Sequence, residues 1–76
     1  MRRGDWMITE KVGIRIKELR SDIGWSQEKL TLKAGLDRTY VAGVENGKRN
    51  ISIKNLEKIV LALETNMKDF FSGMGD

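Results

Sequence analysis

The sequence predicts an all-α fold of five short helices, and three observations predict it. Apolar residues recur at steps of three and four, the chain contains no proline, and no segment alternates apolar and polar residues long enough for a half-buried strand. Ile51 to Ile53 is the nearest approach to alternation, and it is too short. In the first helix, about 9–23, Val12, Ile16, Leu19 and Ile23 line one face; Thr9 is the expected N-cap and Gly24 the left-handed stop. Ser26 then caps a second helix over Gln27–Lys33, with Leu30 inward, Ala34 at its end and Gly35 as its stop. Asp37 caps a third from Arg38 to about Asn46, which carries Val41 and Val44 on its inner side and ends at Gly47. Ser52 opens a fourth with Leu56, Ile59, Val60 and Leu63 in register, and Asn66 opens a short fifth turn holding Met67, Phe70 and Phe71.

Seventy-six residues make one domain, expected to be ordered over about 8–72, with an N-terminal arm 1–7 that includes Trp6 and a tail 73–76 left loose. A chain of this size buries only about 60–65% of the surface its unfolded form exposes, so a second copy is expected to supply burial. There is no cysteine and no histidine, which removes disulfides, thiolate metal sites and the commonest general base. No nucleophile–base pair or phosphate-binding glycine loop can be assembled either, so an enzyme is not expected, and no metal, cofactor or small-molecule effector is called for. No apolar run is long enough to span a membrane, and Arg2-Arg3-Gly4-Asp5 does not open a signal peptide, so the expected location is the cytoplasm.

Fourteen basic against eleven acidic side chains give a net charge of only +3. Their distribution says more. Residues 1–25 carry six basic and four acidic groups, residues 26–54 six and three, and residues 55–76 two and four, so the first two thirds are positive and the last third negative. That asymmetry suits an anionic partner on one side of the molecule.

The densest information lies between Gln27 and Asn46. Two short helices joined by Ala34-Gly35-Leu36-Asp37 have the spacing of a helix-turn-helix: Gly35 supplies the positive φ of the sharp reversal, while Leu30, Ala34, Leu36, Val41 and Val44 pack the two helices together. Thr31 departs from the small apolar residue expected on the inner side, which implies looser packing or a hydroxyl bonded back to the preceding turn.

From Gly13 to Phe71 the chain resembles the lambda-repressor and Cro-like family of bacterial DNA-binding domains. Within that family "SQEKL" and "LDRTYVAGVENGKRNISIKNLEKI" are similar to the controller proteins of restriction–modification systems. The resemblance implies five helices with the helix-turn-helix as the second and third, a double-stranded DNA partner, and a homodimeric autoregulator that activates at one site and represses at another from the bacterial nucleoid. A stand-alone phage-type repressor and an antitoxin-like protein-interaction module are the alternatives. In this docking mode the third helix enters the major groove, so Arg38, Thr39, Ala42, Gly43 and Asn46 form the expected base-reading face. Arg38 can donate twice to guanine, and Ala42 and Gly43 allow close approach; the competing readings are a solvated or phosphate-bound Arg38 and a packing contact at Gly43. The resemblance places Gln27 on a backbone phosphate. Tyr40, Lys48, Arg49, Asn50, Ser52 and Lys54 extend the phosphate track, with half-burial the other reading for Tyr40 and a solvated edge for the loop charges. The resemblance also implies Glu28 as a contact for the polymerase sigma subunit, against a reading in which it only complements the dipole at the start of its helix. Glu45 is expected to pair with Arg49 or Arg15.

The apolar bulk of the last two helices exceeds what a small monomer needs. Leu61, Leu63, Asn66, Met67 and Phe71 are therefore the expected twofold interface, against a reading in which Phe70 and Phe71 both fill the monomer core. Trp25 is expected to pack over the start of the second helix.

Overall fold

The structure, a computed structural model, describes residues 3–74, with side chains from Met7 to Met74. Five helices follow one another: α1 (Arg3–Asp22), α2 (Gln27–Ala34), α3 (Arg38–Glu45), α4 (Ile53–Ala62) and α5 (Met67–Ser72). The all-α prediction therefore holds, and the N-caps read from the sequence for the last four helices occupy their places. Ser26, Asp37 and Ser52 are extended and accept from the amides of Lys29, Tyr40 and Asn55, and Asn66 does the same for Asp69. The Gly35 amide closes the last helical bond to the Thr31 carbonyl, and its φ of 70° turns the chain sharply enough for the Leu36 amide to reach the same oxygen. Thr31 is buried, and its hydroxyl donates to the Glu28 carbonyl at 2.7 Å, the backward bond foreseen for it.

The first helix differs most from expectation. It begins at Arg3, six residues before Thr9, so Thr9 is not a cap; its hydroxyl instead donates to Asn50 Oδ1 at 2.8 Å. Residues 3–7 of the expected arm continue this helix, while Met1, Arg2 and the Trp6 side chain lie outside the described residues. Ile23 also leaves the expected inner face, because the helix ends at Asp22 and Ile23 is exposed. At the other end Met74 packs half-buried against the core rather than hanging loose; Gly75 and Asp76 lie outside the described residues.

One core joins all five helices. Ile16, Leu30, Val41, Val44, Ile59, Val60 and Phe70 are each at most 1% exposed, with Val12, Leu56 and Leu63 closing the edges. Burying side chains of this kind contributes about 1.5–3 kcal/mol each, which is what holds such short helices, unstable alone, in helical form. Two further contacts set the frame. Gly13 lets α1 lie directly on the end of α3, because a Cβ there would collide with the Val44 and Glu45 carbonyl oxygens. Arg15 donates to the Phe70 carbonyl at 2.8 Å and the Asp69 carbonyl at 3.2 Å, satisfying acceptors near the end of α5 with a cation that also suits the helix dipole.

Candidate nucleic-acid interface

α3 turns Val41, Val44 and Glu45 inward and leaves Arg38, Thr39 and Asn46 exposed, with Ala42 and Gly43 between. Asn46 is the residue that ends the helix, its amide reaching the Ala42 carbonyl. Thr39 and Gly43, four apart, share one outward row. The five residues expected to read bases thus lie on one side of one helix. Beyond it Lys48, Arg49 and Asn50 are exposed in the loop to α4, and Ser52 and Lys54 follow at the start of that helix. The loop is tied down. The Lys48 amide donates to the Gly43 carbonyl at 2.9 Å, Asn50 accepts from Thr9, and Gly47 is buried against Glu10.

At two residues of this surface the structure bears out the competing reading, a packing contact at Gly43 and half-burial at Tyr40. The face of Gly43 is not open: a Cβ there would lie 2.8 Å from both Cγ and Cδ of Arg49, whose chain is folded across the helix. The Arg49 guanidinium carbon lies 5.2 Å from the Tyr40 ring centroid, a cation–π distance. Tyr40 is half-buried, and its hydroxyl accepts from Asn55 Nδ2 at 3.2 Å.

Behind α3 is a polar network that sequence reasoning missed. Glu45 pairs with Arg20, not with Arg49 or Arg15: Arg20 Nε donates to Oε2 and Nη2 to Oε1, both at 2.9 Å, with the Glu45 side chain 2% exposed. The third Arg20 nitrogen donates to the Trp25 carbonyl at 2.8 Å, and Gln27 Nε2 donates to Glu45 Oε1 at 3.1 Å. The carboxylate beside it raises the Arg20 pKa, outweighing the opposing effect of burial. Every member has a partner, the condition under which a buried charge is tolerated. Gln27, expected on a phosphate, is half-buried and its side-chain amide holds Glu45. The missed signal is periodicity: Arg20 follows Ile16 by four and Glu45 follows Val41 by four, so two opposite charges fall on the inner rows of adjacent helices.

On α2, Glu28 is exposed, and Trp25 lies half-buried before the Ser26 cap with Lys29 Nζ 5.3 Å from its ring centroid. On α4 and around α5, Leu61 is 65% and Phe71 43% exposed, with Met67 half-buried and Asn66 exposed. Leu63 does not belong with them. It is 6% exposed and seals the core at the end of α4. Phe70 is wholly buried and meets Phe71 edge to face at 5.1 Å, so only one of the two rings fills the core. Among the described residues no group of His, Cys, Asp or Glu could hold a metal ion, and no helix is long and apolar enough to cross a membrane.

Residues 16–70 match the helix-turn-helix family. The control protein C.MunI from Mycoplasma sp is 43% identical over 82% of this chain and 85% of its own length, and the control protein C.BamHI from Bacillus amyloliquefaciens is 43% identical over 75% and 72%. A crystal structure of the restriction–modification controller protein C.Esp1396I, a tetramer in complex with its natural 35-base-pair operator, superposes with a TM-score of 0.83 at 42% identity over 87% of both chains. The chain belongs to the helix-turn-helix family and, within it, is a relative of the restriction–modification controller proteins.

Proposed function

We propose that this protein is a sequence-specific, operator-binding transcription regulator acting as a homodimer, an autoregulatory controller of a restriction–modification system that activates at one site and represses at another. The observation that carries it is the two-sided third helix: Val41 and Val44 fix one side in the core, while Arg38, Thr39 and Asn46 face solvent beside the basic Lys48-Arg49 loop. A helix held that rigidly can enter a major groove without rearranging, and its likeness to a controller solved on its operator favours that use. In this reading Arg38, Thr39 and Asn46 meet base edges, with Ala42 and Gly43 as the small positions between them. Gln27, Tyr40, Lys48, Arg49, Asn50, Ser52 and Lys54 run along the phosphates. Two copies pair through Leu61, Met67, Phe71 and Asn66, which turns the acidic last third away from DNA and sets two third helices about one helical turn of DNA apart. Glu28, exposed on α2, is the proposed contact for the polymerase sigma subunit, and the protein works in the cytoplasm on the nucleoid.

Footprinting on the DNA upstream of its own gene tests the regulator. A protected palindrome is expected at nanomolar to micromolar protein, and its absence would reject autoregulation. For the polymerase contact, Glu28→Ala should keep full operator occupancy while activation in a promoter-fusion assay falls; unchanged activation would remove that role.

A further inference from the structure

Arg49 is a loop residue, yet its side chain does not extend from the loop. Its Cγ and Cδ lie over Gly43 in the middle of the recognition helix, so close that a Cβ at position 43 would be 2.8 Å from each. Its guanidinium rests 5.2 Å from the centre of the Tyr40 ring, and Asn55 on α4 holds that ring through the tyrosine hydroxyl at 3.2 Å. The backbone just before Arg49 is fixed as well, since the Lys48 amide donates to the Gly43 carbonyl at 2.9 Å. A long, flexible side chain is thereby held at both ends.

We infer that Gly43 is a positioning residue for Arg49: its missing side chain is the seat that lets the Arg49 chain cross α3 and holds the cation against the Tyr40 ring before any DNA is present. Gly43 then acts through Arg49 and not through its own approach to the groove. This rests on the DNA-binding reading above and specifies how one of its contacts is built. The physical gain is preorganisation. An arginine ordered in the free protein loses less rotamer freedom on binding a phosphate or a base edge than one free in solvent. The cost is a glycine inside a short helix, where alanine is the better helix former, and the seat gives that cost a purpose.

The test is a double-mutant cycle of the wild-type protein, Gly43→Ala, Arg49→Ala and the double variant. The probe is a labelled duplex enriched by the wild-type protein from a random-sequence duplex pool, titrated at several salt concentrations. Arg49→Ala should weaken binding about tenfold or more and lower the slope of log affinity against log salt by about 1.8, for two contacts per dimer. Gly43→Ala should weaken it about as much, and the double variant no further than Arg49→Ala alone. Thermal melting should show Gly43→Ala no less stable than wild type, a loss of binding without a loss of fold. Equal losses from Gly43→Ala in both backgrounds, or none in either, would overturn the inference while leaving the regulator reading intact. Enrichment of no duplex by the wild-type protein would reject that reading, and the inference with it. Independently of DNA, nuclear Overhauser contacts from the Arg49 γ and δ protons to the Gly43 α protons are expected in the free protein and absent if the seat does not exist.

Discussion

Glu45 shows how much one side chain decides here. Its carboxylate is enclosed at the end of α3 and receives two nitrogens of the Arg20 guanidinium together with the Gln27 amide, so three segments of chain meet on one charge. Replacing Glu45 with Gln keeps the shape but leaves the Arg20 cation largely buried without a counter-charge, a change expected to cost about 2–3 kcal/mol. Against a total stability of only about 5–15 kcal/mol for a small domain, urea titration of Glu45→Gln should show a large fall in midpoint with little change in slope. The pair is safe from alkali. The Arg20 pKa is raised in the fold, so its contribution is complete below the unfolded value and is lost only as pH rises through a still higher folded value, beyond any working range. Urea midpoints should therefore show no alkaline loss traceable to this pair up to about pH 10.

At the scale of elements, two junctions carry unequal strain. α1 rests on the end of α3 through Gly13, where a methyl group would meet the Val44 and Glu45 carbonyls. Gly13→Ala must push the two helices apart, with an expected loss of about 1–3 kcal/mol and weaker operator binding, because the moved helix carries the proposed reading face. Circular dichroism melting together with a binding titration measures both. The other junction favours substitution. Glu64, between α4 and α5, sits at φ 60°, a conformation costing a non-glycine residue about 1 kcal/mol. Glu64→Gly should stabilise the protein and raise the melting temperature by about 4–8 °C per kcal/mol recovered. A lower melting temperature would mean that the Glu64 side chain contributes more than its backbone costs.

For the whole molecule, the balance between burial and exposure places the two proposed faces on different ends of the chain. The basic residues of α2, α3 and the following loop fall in the net positive segment 26–54, and the exposed apolar residues Leu61 and Phe71 lie in the net acidic last third. A charge placed in that apolar patch should separate the two functions. Leu61→Lys is expected to leave the helical spectrum unchanged, shift sedimentation at tens of micromolar from dimer to monomer, and weaken operator binding at least tenfold. A monomer must hold one half-site alone and makes half the phosphate contacts, so its binding should also depend less steeply on salt.

The sequence by itself determined the number of helices, the N-caps of the last four and the turn at Gly35, because these depend on neighbours three or four residues away. Ser26, Asp37, Ser52 and Asn66 each reach an amide three residues on, and no distant part of the chain is needed to predict that. It also exposed the two candidate surfaces through the spacing of their residues. The start of α1 was not legible, since Thr9 has the chemistry of a cap and only contact with Asn50, 41 residues later, shows its use. The same holds for Leu63, which reads as surface or core until the packing of α4 encloses it, and for Glu45, whose partner is 25 residues away on another helix. Tertiary structure alone decided where Arg49 lies. A loop side chain has no fixed direction in sequence, and only the bare face of Gly43 beside the Tyr40 ring gives it one.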